Sequence, residues 1–220
     1  PNSRFFCSCL LTVLRNPFSQ EIQDKLKVIV EPAVEQIKNN INVNYVNNAA
    51  TFISAEALES KKKLDESHID QAGEETNLKD FSPFLEHIKS PAENQIIEIV
   101  QEIYSAETVN MSGSFYYPDS GFMGWHTNCS DPCKTVLYIV YADEDQKSFF
   151  RYEDEEGNII TDYDDKGLTI RQFELKGEKP YFWHCVGSTC NRFSFGFRIY
   201  QSRQDAIATA RARVALRLKP

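Results

Sequence analysis

The first half of the chain carries apolar residues at helical spacing. In the segment SQEIQDKLKVIVEPAVEQIKNN they recur every three or four residues, which predicts an amphipathic helix that Pro32 breaks or kinks. The segment SPAENQIIEIVQEIYS shows the same periodicity and predicts a second helix. We therefore expect residues 1–107 to form a helical layer that packs on the rest of the protein. The apolar positions are Ile22, Leu26, Ile29, Val34 and Ile37 in the first helix, and Ile96, Ile97, Val100 and Ile103 in the second.

After about residue 108 the pattern changes to short runs of aromatic and β-branched residues separated by turn residues. Seven such runs follow one another without a gap long enough for a helix. Strands in such close succession predict an antiparallel sandwich or barrel rather than a parallel sheet. The run KTVLYIVYA is apolar on both faces, as is typical of a strand in the middle of a packed double sheet. The expected fold class is therefore α+β, with a helical layer followed by a β-sandwich over residues 108–202.

Composition and charge narrow the class of protein. The 220 residues are 41% apolar and 25% charged, which is typical of a single globular domain. No apolar run approaches the roughly 18 residues that cross a bilayer, so we expect no membrane partner. We expect FFCSCLLTVL to be a buried or capping segment rather than a signal peptide. The net charge of −8 disfavours nucleic acid as a partner, because neutralising phosphates needs a basic surface. Residues 203–220 form a basic extension, expected to be a solvated helix rather than a docking tail, with Arg203, Arg211, Arg213, Arg217 and Lys219 against Asp205.

Two histidines and an arginine are the main candidates for chemistry. His126 lies just before the predicted strand KTVLYIVYA, and His184 ends the predicted strand PYFWH. Histidines at strand ends of a double sheet can meet at the open end of the sandwich. Arg192 follows eight residues after His184, and we expect it on the next strand over, pointing into the same cavity. Imidazoles suit a metal ion and a buried guanidinium suits a carboxylate, so these residues predict a site for a dicarboxylate that chelates a metal.

The order of these segments resembles that of a known enzyme family. The segments FYYPDSGFMGWHTN, KTVLYIVYADED, SFFRYED and PYFWHCVGSTCNRFSFGFRI are similar to the 2-oxoglutarate- and iron(II)-dependent dioxygenases, particularly to their prolyl-hydroxylase-like branch. The likeness covers residues 112–200 and implies a double-stranded β-helix, or jelly roll. It also implies an enzyme that converts 2-oxoglutarate to succinate and carbon dioxide while it hydroxylates a C–H bond.

The resemblance implies that His126 and His184 are metal ligands, but the third ligand departs from the family pattern. The family has an acid two residues after the first histidine, where this chain has Asn128. An amide oxygen can bind a metal but brings no charge. Three explanations stay open: Asn128 is a weak third ligand, the position is left to water, or the site has lost catalysis and kept the fold. Asp131 fits this role less well, because it lies beyond the turn.

The resemblance also implies which residues bind 2-oxoglutarate. Arg192 matches the residue that pairs with its distal carboxylate, and Ser194 lies beside it. Either Tyr116 or Tyr117 matches the strand tyrosine that hydrogen-bonds the same carboxylate. The remaining candidates are Tyr138 and, with less weight, Arg198, which follows six residues after Arg192.

Two other interpretations compete with the oxygenase. The cysteines of HTNCSDPC and HCVGSTC, together with the two histidines, could hold a structural zinc, although their spacing is looser than in most zinc sites. A disulfide such as Cys133–Cys190 would require an exported protein, whereas free thiols favour the cytoplasm, where we expect this protein. The second interpretation is a non-catalytic jelly-roll binding module that has lost full metal ligation, and Asn128 favours it.

The sequence thus predicts a 2-oxoglutarate-dependent dioxygenase that uses Fe(II), or a protein without a cofactor if the site is degenerate. Its substrate is expected to be a small molecule or a protein, and a prolyl or other protein side chain is the target that the resemblance implies. The acidic run ADEDQKSFFRYEDEEGN is expected to be a solvated hairpin edge rather than a binding site for a basic substrate.

Overall fold

Two facing antiparallel sheets form the main part of the computed structural model. The structure describes residues 13–39, 49–63, 76–77, 79–80, 92–128, 135–175 and 181–217. The strands are β1 (Leu14–Arg15), β2 (Thr76–Asn77), β3 (Lys79–Asp80), β4 (Thr108–Tyr117), β5 (Phe122–His126), β6 (Thr135–Ala142), β7 (Ser148–Glu153), β8 (Ile159–Tyr163), β9 (Gly167–Glu174), β10 (His184–Ser188) and β11 (Arg192–Tyr200). The helices are α1 (Gln20–Lys38), α2 (Ala49–Ile53), α3 (Ala55–Lys62), α4 (Ala92–Tyr104) and α5 (Arg203–Arg217).

The strand order follows from a chain that passes back and forth between the sheets. The larger sheet has the order β1-β9-β6-β11-β4-β3, and the smaller has the order β2-β5-β10-β7-β8. From β4 to β11 successive strands lie in opposite sheets, except for the β7–β8 hairpin. This mixture of helices and antiparallel sheets is consistent with the predicted double-stranded β-helix.

Strand boundaries near the two histidines differ from the prediction. The segment around His126 is itself a strand, β5, which the sequence pattern does not distinguish from the preceding turn. His184 begins β10 instead of ending the strand PYFWH, because the first pairs of β10 are those that His184 forms with His126 and Tyr152. The aromatic residues before it, Phe182 and Trp183, are buried outside the ladder, so their composition imitates a strand without forming one.

Helices α1 and α4 pack against the outer face of the larger sheet. Their buried stripes, which include Leu26, Val30 and Ile96, join the aromatic residues of β11 in one apolar cluster. Helix α1 continues through Pro32, so the predicted break is wrong. Pro32 lies on the exposed side, and the residue four positions before it, Val28, is 74% exposed, so water can satisfy the carbonyl that loses its helical partner. The helical layer over the whole of residues 1–107 stays a prediction, because residues 1–12, 40–48, 64–75, 78 and 81–91 lie outside the described residues.

The smaller sheet is covered by α2 and α3. The ring of Phe52 stacks on that of Phe122 with centroids 5.2 Å apart, and the Trp125 Nε1–H donates to the Ser54 carbonyl at 2.8 Å.

At the other end of the chain, α5 is capped by Ser202, whose hydroxyl oxygen accepts from the Asp205 amide at 3.1 Å. Among the helices that the structure describes, none has the length and apolar character needed to cross a membrane.

Candidate functional site

The two candidate histidines lie side by side on neighbouring strands. His126 ends β5, His184 begins β10, and the two residues are directly paired in the antiparallel ladder. Their ring centroids are 4.1 Å apart, and both residues are buried. Residues distant in the sequence thus meet at one end of the smaller sheet.

A β-bulge turns His126 toward the space between the sheets. The register shifts by one residue between the pairs His184–His126 and Val186–Met123. In a regular strand, positions 123 and 126 would lie on opposite faces, whereas the extra residue lets Met123 and His126 line the same cavity. Phe122 and Trp125 face the apolar cluster below α2 and α3.

Backbone carbonyls fix the orientation of both imidazole rings. His126 Nδ1 lies 2.8 Å from the Gly124 carbonyl oxygen, and His184 Nδ1 lies 3.1 Å from that of Phe182. Because a carbonyl only accepts, Nδ1 carries the proton, and in the neutral ring the lone pair is on Nε2. Metal-binding histidines in proteins are oriented by the same kind of contact.

The surroundings of His184 keep its ring neutral. Complete burial is the main cause, and the neighbouring His126 adds to it, so the pKa of His184 is well below its usual range. The ring packs among three phenylalanines, with centroid distances of 5.3 Å to Phe182, 5.5 Å to Phe150 and 5.7 Å to Phe173. A neutral imidazole retains the lone pair that a metal ion needs.

Asn128 lies where the family pattern has its acid. Its Nδ2 is 3.2 Å from His184 Nε2, to which it donates, and turning the amide over would put Oδ1 in the same place. Among the described residues, no three His, Cys, Asp or Glu side chains form a group that could hold a metal. The donors that fit an ion here are therefore the two imidazole nitrogens and the amide oxygen, a neutral set of the type that imidazole-binding metals such as iron accept.

The two histidines open onto a cavity of about 170 Å³ between the sheets. This is room for on the order of ten water molecules. Among the described residues that line it, Arg198 carries the one formal charge, and no acid is present. The cavity therefore favours an anionic ligand. Its lining is Ser112, Gly113, Phe115, Tyr117, Met123, His126, Asn128, Tyr138, His184, Val186, Ser194, Gly196 and Arg198.

Strand β11 contributes to the cavity through alternate residues. Ser194, Gly196 and Arg198 line it, whereas the phenylalanines between them pack outward under α1 and α4. Two neighbouring side chains fill the space that a side chain at Gly196 would need. A Cβ atom there would lie 3.1 Å from Tyr138 Cε1 and 2.7 Å from Ser112 Oγ. The missing side chain thus leaves room for the Tyr138 ring beside the cavity.

Arg192 lies deeper than predicted. It belongs to the facing sheet, so the expectation of the strand next to His184 is wrong: the chain crosses between the sheets from β10 to β11. The residue is fully buried, is not part of the cavity lining, and contacts the cavity-lining Tyr117, whose ring centre is 4.9 Å from the guanidinium carbon. Its Nε donates to Asp164 Oδ2 at 2.9 Å. Its Nη1 and Nη2 have no hydrogen-bond partner among the described residues.

Tyr116 and Tyr117 point to opposite faces of the sheet, because side chains alternate along strand β4. Tyr117 lines the cavity, but Tyr116 points to the opposite face, where its ring stacks on Phe193 at 4.9 Å and its hydroxyl donates to Asn191 Oδ1 at 2.7 Å. Burial raises the pKa of Tyr117 to about 12 and also raises that of Tyr138. Both cavity tyrosines therefore stay protonated at neutral pH and can donate to an anion.

Asp164 and Arg171 belong to the site but were missed in the sequence. Burial opposes the ionisation of Asp164, yet the charges of Arg192 and Arg171 outweigh it and hold its pKa at about 2. Arg171 is fully buried and also pairs with Asp162 through Nε at 2.7 Å. The sequence does contain a signal for this pair. Arg171 lies two residues before the inward-facing Phe173 on the same strand, so its side chain is expected to point inward as well. A buried arginine needs an acid as its partner.

The cysteines leave the zinc interpretation untested. Cys185 and Cys190 are buried free thiols, and burial raises the pKa of both. Cys129, Cys133 and Asp131 lie outside the described residues. The structural zinc and the alternative acid ligand therefore stay predictions, whereas the Cys133–Cys190 disulfide is wrong, because the Cys190 thiol is free.

Several solved structures are similar to this chain. A prolyl-4-hydroxylase of Pseudomonas putida shares 13% identity over 87% of this chain and 94% of its own, with a TM-score of 0.45. A prolyl hydroxylase of Trichoplax adhaerens, in complex with a hypoxia inducible factor peptide fragment, shares 9% identity over 90% and 86%, with a TM-score of 0.49. A full-length protein of Neurospora crassa, in complex with alpha-KG, shares 9% identity over 86% and 75%, with a TM-score of 0.42.

The sequence identities to these three structures are low, at 9–13%. No family model matches the sequence. No curated protein matches it either. The roles of the site residues in this chain therefore rest on their own geometry.

Proposed function

We propose that this chain is an oxygenase that depends on iron(II) and 2-oxoglutarate and hydroxylates a substrate. The observation that supports this most is the meeting of His126 and His184, both oriented through Nδ1, at a cavity that favours an anion. A buried arginine with two unpartnered nitrogens lies behind the same cavity wall. A metal and a dicarboxylate together satisfy both groups.

The proposed metal site consists of His126, His184 and Asn128. Bound iron(II) supplies the activation of molecular oxygen, coupled to the conversion of 2-oxoglutarate to succinate and carbon dioxide. The backbone carbonyls behind the rings keep Nε2 available, and Phe182 packs against the His184 ring. Because the amide of Asn128 is neutral, we expect weaker metal binding than with a carboxylate at this position.

The proposed co-substrate site is built around Arg192. Its terminal nitrogens match the two oxygens of a carboxylate, which a planar guanidinium binds bidentately. Tyr117 and Tyr138 are neutral hydroxyl donors on the cavity side. Ser194 adds a hydroxyl on the same strand, and Arg198 is the alternative anchor because it lines the cavity directly.

The proposed primary substrate follows from the resemblance. It is a prolyl or other protein side chain, or a small molecule. One of the similar structures, that of the Trichoplax adhaerens enzyme, is a complex with a peptide fragment.

A second candidate function is a non-catalytic jelly-roll binding module. The neutral Asn128 favours it, together with the lack of a three-residue metal group among the described His, Cys, Asp and Glu side chains. Such a module would bind an anion in the cavity without releasing succinate.

Titration of the purified protein with Fe(II) and 2-oxoglutarate without oxygen, followed by addition of oxygen, tests both candidates. We expect each ligand to raise the Tm, and oxygen to trigger 2-oxoglutarate-dependent release of succinate. The H126A/H184A double variant should lose the effect of the metal. Ligand binding without succinate would favour the binding module. An unchanged Tm with both ligands would exclude the oxygenase.

A further inference from the structure

Asp164 is the acid around which the deep end of the site is organised. Its Oδ2 accepts from Arg192 Nε at 2.9 Å and from the Ser148 hydroxyl, and its Oδ1 accepts from Arg171 Nη1. The Asp164, Arg171 and Arg192 side chains are essentially inaccessible to solvent. A carboxylate held from three sides has little freedom to move.

This arrangement determines which edge of the Arg192 guanidinium remains for a ligand. Because Nε is engaged by Asp164, the outer edge with Nη1 and Nη2 is left, and neither atom has a partner among the described residues. Buried donors rarely stay unsatisfied, so this edge indicates a missing acceptor. A carboxylate, with its two oxygens, matches two parallel N–H groups better than a ligand with a single acceptor atom does.

The charges of this buried group and its neighbours are balanced. Asp164 faces two arginines, of which Arg171 also pairs with Asp162. Asp162 in turn pairs with Arg15, which also pairs with Asp165. Three acids thus face three arginines, so the indication of a ligand comes from the two Arg192 nitrogens without a partner among the described residues and not from an excess of positive charge.

We propose that Asp164 is a positioning residue that holds the Arg192 guanidinium with its Nη1–Nη2 edge presented to the distal carboxylate of the co-substrate. This inference rests on the proposed function, because it assumes that 2-oxoglutarate is bound at Arg192. Asp164 itself does not touch the ligand. It sets the orientation of Arg192 by its own threefold anchoring.

The test compares D164N with a matched control, D162N. Both variants replace an acid by an amide in the same network, but Asp162 contacts Arg171 and Arg15 and not Arg192. We expect D164N to weaken 2-oxoglutarate binding by about tenfold to a hundredfold, as when a residue that orients a metal ligand is removed. D162N should stay within about twofold of the wild type, since the contact between Asp164 and Arg192 is unchanged.

The readouts separate positioning from a loss of structure. In calorimetric titrations, D164N should bind Mn(II) like the wild type while its Kd for 2-oxoglutarate rises. In succinate assays, its KM for 2-oxoglutarate should rise while kcat at saturation is retained. Equal affinity of folded D164N and wild type for 2-oxoglutarate, or an equal loss in D162N, would overturn the positioning role alone.

Failure of the proposed function has a different signature. A wild-type protein that binds Mn(II) but not 2-oxoglutarate contradicts the proposed function, and the inference falls with it. If D164N does not fold, S148A decides, because it removes one hydrogen bond to the same oxygen and keeps every charge. Weakening of 2-oxoglutarate binding by about two- to fivefold in S148A supports the role, in line with the loss of one modest hydrogen bond, and unchanged affinity overturns it.

Discussion

Replacement of Arg192 by leucine should separate co-substrate binding from the stability of the fold. Removing one partner of a buried ion pair costs about 3–5 kcal/mol when the other charge is left alone. Asp164 keeps Arg171 and Ser148, so we expect the lower end of that range. The same change removes two buried donors without a partner among the described residues, and each such group costs about 1–3 kcal/mol in the folded state.

These two contributions offset each other in the free protein. We expect the free energy of unfolding of R192L to lie between about 1 kcal/mol below and about 3 kcal/mol above the wild-type value. The effect on the ligand is different, because 2-oxoglutarate loses a buried charge pair worth about 2–5 kcal/mol. At about 1.4 kcal/mol for each factor of ten, the affinity should fall by about thirtyfold or more.

Urea unfolding without ligand, and thermal unfolding with Mn(II) and 2-oxoglutarate, measure the two effects separately. A hundredfold excess of 2-oxoglutarate over its Kd should stabilise the wild type by about 2.7 kcal/mol, and R192L at the same concentration by much less. Stabilisation by Mn(II) alone should be equal in both proteins. R198L is the control, since Arg198 lies six residues further along β11 and lines the cavity.

The control also decides between the two arginines. If R192L retains the stabilisation by 2-oxoglutarate and R198L loses it, Arg198 is the anchor and our reasoning from the unpartnered nitrogens of Arg192 is wrong. If R192L also loses the stabilisation by Mn(II), our reasoning is likewise refuted, because Arg192 would then support the fold of the metal site rather than bind the co-substrate.

Three further predictions address neighbouring parts of the site. N128D places a carboxylate beside His184 Nε2 and should lower the Kd for Mn(II) at least about tenfold in calorimetric titrations; an unchanged Kd would place position 128 outside the ligand set. G196A puts a methyl group 3.1 Å from Tyr138 Cε1 and should destabilise the fold by about 1–3 kcal/mol in urea, whereas wild-type stability would contradict this packing. The pKa of Asp164 is about 2 in the folded protein, against 3.8 ordinarily. Its ionisation therefore adds about 2 kcal/mol to the free energy of unfolding above pH 3.8, and this contribution is lost as the pH falls through 2. Acid titration of the unfolding free energy should show this loss in the wild type and not in D164N.

The periodic features of the structure were predictable from the sequence. The apolar stripes of α1 and α4 follow the spacing of about 3.6 residues, because each helix buries one face against the larger sheet. The β-rich half was recognisable because aromatic and β-branched runs alternate with turns. The meeting of His126 and His184 was also foreseen, although the roles of these residues stay a proposal.

Features that depend on partners distant in sequence were not predictable. The β5 bulge that turns His126 inward exists through its register with β10, and nothing in GFMGWHTN marks the extra residue. The pairing of Asp164 with Arg192 joins a loop and a strand in a geometry that only the closed sandwich creates. The position of Arg192 in the facing sheet depends on the crossover after β10, whereas a hairpin within one sheet would have the same sequence spacing.

The sandwich can keep polar residues in its interior because the outer face of strand β11 is apolar. Along β11 the inward positions carry Ser194, Gly196 and Arg198, none of which fills the interior with apolar volume. The outward positions carry three phenylalanines, all with no exposed area, which pack under α1 and α4. Burial of a phenylalanine stabilises by about 1.5–3 kcal/mol, so this face offsets the cost of keeping charged and small residues inside. The helices thus allow the larger sheet to hold a cavity and a buried arginine without losing its stability.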